Sequence, residues 1–134
     1  MKERDLISLV IPCYNEQESL PYLYPELQKI TEELREFEFE FLFINDGSYD
    51  CTSDILLKYA KSDPRVRYFG FSRNFGKEAA MFAGFCNARG KYVAVMDADM
   101  QDPPSLLPSM LEILTGQGYD SVAARRVDRT GEPR

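Results

Sequence analysis

The sequence contains no histidine. That absence removes Ser-His and Cys-His catalytic pairs and any zinc site that relies on imidazole. Cysteine is scarce as well. Cys13, Cys51 and Cys86 are odd in number and far apart, with no C-x-x-C spacing. They predict reduced thiols in a cytosolic environment, and Cys13 and Cys86 read as core or near-core residues. No apolar run approaches the length of a membrane span. The opening Met1-Lys2-Glu3-Arg4-Asp5 lacks the apolar stretch and small-residue cleavage site of a signal peptide. An excess of positive charge is also missing. A net charge of −6 argues against nucleic acid as a partner. It leaves room for an anionic ligand held by a local Arg/Lys cluster or a metal. Internal repeats, low-complexity stretches and interdomain linkers are absent.

What remains is a chain of 134 residues, 44% hydrophobic and 28% charged. That is the size and balance of one soluble domain with its own core. Leu6–Ile11 is β-branched and apolar, and reads as a strand buried on both faces and stopped by Pro12. Leu20, Leu23, Leu27, Ile30, Leu34 and Phe37 form one helical stripe, with Pro21 and Pro25 predicting irregular first turns. Phe39–Ile44 reads as a second strand, then a short helix carries Ile55, Leu56, Tyr59 and Ala60 on one face. Val66–Phe71 is a third strand. Gly76–Ala88 is apolar almost all round and predicts a well-buried helix. Lys91–Met96 is a fourth strand. Asp102 and Pro103 read as N-cap and first residue of another helix, and Tyr119–Ala123 as a fifth strand. Alternating strands and helices predict an α/β fold, a mainly parallel sheet with helices on both faces.

In open α/β sheets, ligands bind beyond the carboxyl ends of the strands. The unusual polar residues gather there: Tyr14, Asn15 and Glu16 after strand one, and Asp46 after strand two. Arg73, Asn74, Gly76 and Lys77 follow strand three, and Asp97, Asp99 and Gln101 follow strand four. Asp97-Ala98-Asp99 carries the most chemistry. In extended backbone, residues i and i+2 point to one side, so two hard carboxylates would meet a Mg²⁺ or Mn²⁺ ion, with Gln101 adding an amide oxygen or binding metal water. The plain alternative is a pair of solvated loop aspartates. Asp46 is either a turn residue beside Gly47 or a carboxylate that reads a nucleobase edge. Arg73 and Lys77 oppose the helix dipole. Either an anionic ligand or pairing with nearby carboxylates explains them.

Four segments together resemble the family 2 glycosyltransferases of GT-A fold, most of all the polyprenyl-phosphate sugar transferases. They are Ser8-Leu9-Val10-Ile11-Pro12-Cys13-Tyr14-Asn15-Glu16, Ile44-Asn45-Asp46-Gly47-Ser48, Asn74-Phe75-Gly76-Lys77 and Met96-Asp97-Ala98-Asp99-Met100-Gln101-Asp102-Pro103-Pro104. The resemblance implies that 1–134 is a Rossmann-like nucleotide-sugar-binding domain, the N-terminal part of a longer catalytic domain. It implies an inverting transfer from a UDP- or GDP-sugar to a polyprenyl phosphate. By the same resemblance Pro12, Tyr14, Glu16, Ile44, Asp46, Lys77, Asp97, Ala98 and Arg125 bind the nucleotide, and Asp97, Asp99 and Gln101 hold the metal. The full-length protein is expected at the cytoplasmic side of a membrane. Two rivals are weighed. One is a non-catalytic nucleotide-binding module. The other is a nucleotidyltransferase, which the lack of glycine and positive charge in Pro12-Cys13-Tyr14-Asn15-Glu16 disfavours.

Overall fold

The computed structural model describes residues 4–99, 107–117 and 121–123. Strands β1 (Asp5–Cys13) and β2 (Phe37–Asn45) each end in seven consecutive buried residues. That is the mark of strands covered on both faces. β1 runs through Pro12 instead of stopping there. The Cys13 carbonyl accepts from the Asp46 N–H on the β2 side, and the Val10 carbonyl accepts from the Met96 N–H on the other. Alternate residues thus face alternate neighbours, and Pro12 faces β4 (Tyr92–Val95) beyond the last paired residues, Val10 and Val95. Its missing N–H breaks no bond of the paired ladder.

Helix α1 (Leu20–Glu33) buries Leu20, Leu23, Leu27 and Ile30, the predicted stripe. It ends earlier than expected. Leu34 caps it, and Phe37 is already paired with Asp5 as the first residue of β2. Pro21 sits in the first turn, where a backbone N–H would have no intrahelical acceptor, while Pro25 lies inside the helix. Next come α2 (Thr52–Ser62), β3 (Val66–Gly70), α3 (Lys77–Asn87), β4, α4 (Leu107–Gln117) and β5 (Ser121–Ala123). The expected cap at Asp102 and Pro103 lies outside the described residues. Among the described residues no helix is long and apolar enough to cross a membrane.

The strands lie in the order β3-β2-β1-β4-β5, all parallel. The chain therefore builds outward from β1 to one side, returns, and builds to the other. The crevice between β1 and β4 is the topological switch point. One face carries the larger core, in which Ile7, Leu9, Ile11, Phe41 and Phe43 meet the α1 stripe, Leu56 of α2 and Leu107 and Leu111 of α4. On the other face Val10, Leu42, Ile44 and Val95 pack under Ala80 of α3.

The expectation of a well-buried α3 is corrected. Only Ala80 and Gly84 are buried, and Phe82 and Phe85 are exposed. A lone helix on a sheet face buries one stripe however apolar its other side. The stripe is small because the backbone comes close: a Cβ on Gly84 would lie 2.2 Å from Cγ1 of Val10.

At the edge opposite the carboxyl ends, Glu40 is buried among donors. Oγ of Ser8 donates to it at 2.5 Å, Nη1 of Arg67 at 3.0 Å and the Arg89 N–H at 2.7 Å. The Gly90 N–H in turn donates to Oγ of Ser8 at 2.8 Å. This network fixes the turn that leads from α3 into β4.

Candidate functional site

The loops leaving β1, β2, β3 and β4 enclose a pocket of about 380 Å³ at the switch point. Its lining includes Pro12, Tyr14, Glu16, Asp46, Asn74, Gly76, Lys77, Asp97, Ala98 and Asp99, all singled out from sequence, together with Cys13. Ile44 is not among them. It is fully buried in the core beneath α3. Gln101 and Arg125 lie outside the described residues.

Two loops of the pocket are clasped together. The Asn15 N–H donates to Oγ of Ser48 at 2.9 Å, and Oδ1 of Asn15 accepts from the Tyr49 N–H at 3.0 Å. The Glu16 N–H donates to Oγ1 of Thr52 at 2.8 Å, and Oε1 of Gln17 accepts from the Cys51 N–H at 2.9 Å. Asn15 has a φ of 54°, a conformation that asparagine tolerates better than most residues. The turn presents Tyr14, whose ring meets that of Tyr49 edge-on at 6.1 Å.

Asp46 organises the opposite wall. Its side chain is buried, and its carboxylate accepts from the Phe75 N–H at 2.8 Å, the Gly76 N–H at 3.0 Å and Nδ2 of Asn74 at 3.0 Å. Those three donors leave one of about four lone-pair directions for a ligand. Gly47 lies under the same loop. Its φ is +71°, and a Cβ there would sit 2.2 Å from the carbonyl carbon of Arg73. Gly47→Ala is therefore expected to cost about 2 kcal/mol or more and to displace the 73–76 turn. A thermal melt read beside nucleotide affinity checks both effects.

Asp97 and Asp99 reach the pocket by a different route from the expected strand alternation. β4 ends at Val95, and Ala98 and Asp99 lie in a turn. Ala98 is buried and anchors that turn in the larger core. Nζ of Lys77 pairs with Oδ1 of Asp97. Glu16 is half-buried, and its carboxyl is held above the usual range, chiefly by burial and further by the charges of Asp99 and Asp97, against hydrogen bonds from Ser19 and the Tyr14 backbone. Burial pushes the Cys13 thiol well above its ordinary range, so it is an inert wall of the pocket. Cys86, expected in or near the core, is exposed on α3.

Among the described residues the lining thus sets four carboxylates, of Glu16, Asp46, Asp97 and Asp99, against one ammonium, that of Lys77. A divalent cation offsets such an excess, and the donors are the hard oxygens that Mg²⁺ and Mn²⁺ prefer. Among the described residues no three acidic, cysteine or histidine side chains converge as a metal cluster. That is compatible with Mg²⁺ chemistry, which commonly uses one or two carboxylates and completes the shell with water and substrate phosphate.

Comparison with known proteins fits this geometry. The model of the family described as glycosyl transferase family 2 matches residues 8–134. The chain is 44% identical over 128 residues to a prophage bactoprenol glucosyl transferase homolog of Escherichia coli (strain K12), covering 96% of this chain and 41% of that protein. It is 42% identical over 125 residues to YkcC of Bacillus subtilis (strain 168), an uncharacterized glycosyltransferase, covering 93% of this chain and 38% of that protein. Among solved structures, Staphylococcus aureus TarS 1-349 superposes with a TM-score of 0.66 at 22% identity, over 84% of this chain and 33% of that one. The mannosyltransferase PcManGT of Pyrobaculum calidifontis, in complex with GDP-Man and Mn²⁺, gives 0.63 at 22% identity over 84% and 33%. The fold is the GT-A fold. The chain spans about two fifths of the length of the curated relatives it matches.

Proposed function

The chain belongs to glycosyl transferase family 2, and from that premise we propose that its pocket is the donor site of a sugar transfer to a polyprenyl phosphate. One observation carries the reading: residues from four separate strand ends, spaced along most of the chain, meet in one acidic pocket at the switch point. The donor is a nucleoside diphosphate sugar. Tyr14 offers an aromatic face to the base, and the clasp between the first two loops holds that face in place. Asp46 keeps the 74–76 turn closed and uses its remaining lone-pair direction for the base edge. Pro12 and Ala98 form apolar walls.

Asp97 and Asp99, with Gln101, would hold a Mg²⁺ or Mn²⁺ ion, which when bound acts as a Lewis acid on the diphosphate leaving group. Lys77 and Arg125 add fixed positive charge toward the same phosphates. The acceptor attacks the anomeric carbon from the face opposite the diphosphate and inverts it. A polyprenyl phosphate needs no strong base, because a phosphate monoester with a second pKa of about 6 is largely ionised at neutral pH. A lipid acceptor also puts the whole protein at a membrane, on the cytoplasmic side where nucleotide sugars are supplied.

The assay is release of UDP or GDP from UDP-glucose, UDP-N-acetylglucosamine or GDP-mannose, with polyprenyl phosphate and Mn²⁺. Nucleotide release that depends on the lipid supports transfer. Tight donor binding with no release, from this chain and from a length matching its relatives, would leave the pocket as a binding module.

A further inference from the structure

Lys77 opens an 11-residue helix, where a positive charge opposes the dipole. Among the described residues it is the one cationic side chain in the lining, and it rests on Asp97. We propose that Lys77 is a resident counter-cation for Asp97, one that gives up this place to a divalent cation and then turns to the donor diphosphate. The inference rests on the donor-site reading above, and it adds an order of events: Lys77 and the metal compete for Asp97 before they cooperate on the phosphates.

Three features of the structure fit such an exchange. First, the turn that leads into Lys77 is held in place. The three donors of Asn74–Gly76 close on buried Asp46, and Gly47 packs directly beneath Arg73 and Asn74. Second, the side chain is open to solvent. It is 57% exposed, against 21% for its partner Asp97. A fixed turn before an exposed ammonium suits a residue that changes partners. Third, the helix start beside it is bare. Gly76 has a φ of +108°, and a Cβ there would meet nothing within 4 Å. A phosphate can approach the first turn of α3 and meet both the helix end and the released ammonium.

Competition and cooperation give opposite signs in one variant. Mn²⁺ alone is titrated into the chain and followed by loss of the free-ion EPR signal. UDP and GDP are then titrated at saturating Mn²⁺ by calorimetry. Lys77→Met is expected to bind Mn²⁺ alone more tightly, by up to about fivefold, the ceiling for a partly exposed ion pair. The same variant is expected to bind the nucleotide with Mn²⁺ about tenfold more weakly, the scale of one hydrogen bond to a charged group. Lys77→Arg keeps the charge and is expected to stay near wild type in both. A variant that merely damages the fold lowers both affinities together, so Lys77→Met weakening or leaving unchanged its Mn²⁺ binding overturns the exchange. If the wild-type chain binds Mn²⁺ and nucleotide while Lys77→Met matches it, only this inference fails. A wild-type chain that binds neither removes the donor-site reading as well.

Discussion

Asp99→Asn is expected to leave the melting temperature close to wild type and to weaken Mn²⁺-dependent nucleotide binding by about 100-fold. The first half follows from position. Asp99 is exposed and lies in a turn past the end of β4, so the core does not depend on it. The second half follows from charge. The amide keeps the shape and one oxygen but removes the anion, and a bond involving an ionised group contributes about 1.5–3 kcal/mol. The upper part of that range corresponds to two orders of magnitude. Nucleotide binding without Mn²⁺ should change little, since the carboxylate acts through the cation. Equal Mn²⁺-dependent affinities in variant and wild type would remove Asp99 from the metal site.

Glu40→Ala is the largest expected effect on stability, about 3 kcal/mol, or a fall in Tm of roughly 10 °C. Glu40 is distant from the pocket, so nucleotide affinity per folded molecule should hold. The cost comes from what is left behind. Arg67 loses its carboxylate, and Ser8 and the Arg89 N–H lose their acceptor. The same network predicts how stability depends on pH. Burial pushes the Glu40 carboxyl upward, but hydrogen bonds from Ser8, Arg89 and Arg67 and the charge of Arg67 outweigh it and hold the group below the usual range. Asp63 is lowered in the same way: burial opposes the shift, while hydrogen bonds from Arg65 and Tyr24 and the charge of Arg65 prevail. A folded-state pKa below the unfolded value of about 4 stabilises the fold above that pH and ceases to do so as the carboxyl protonates in the native state. Denaturant midpoints should be flat near neutrality and fall below about pH 4. In Glu40→Ala the acid-side fall should be shallower. An equally steep fall would mean that other carboxylates govern acid unfolding.

The fold was legible where burial and sequence pattern coincide. The apolar runs of β1 and β2 could be read directly, because strands covered on both faces need no alternation. The gathering of Glu16, Asp46, Lys77, Asp97 and Asp99 was legible because each follows a strand, and topology brings strand ends together. Three things were hidden for physical reasons. Glu38 and Glu40 occupy equivalent places in the alternation of β2, yet one side chain is half exposed and the other buried; the difference lies in Ser8 and Arg67, on other strands. The hold of Asp46 on Asn74–Gly76 spans about thirty residues of sequence, so the local Asp-Gly pattern indicated only a turn. The outward face of α3 was concealed by its apolar composition, since periodicity cannot orient a helix with no polar side. Pro12 misled for a similar reason: what it breaks depends on which neighbour its missing N–H faces.

Calorimetric titration of the purified chain with UDP and with GDP, each with and without Mn²⁺, tests the donor-site assignment most directly. Saturable binding of one nucleotide that requires Mn²⁺ is the expected result, and it would also identify the base. Binding of neither nucleotide under any condition, by this chain and by a length matching its relatives, would contradict the assignment of the pocket.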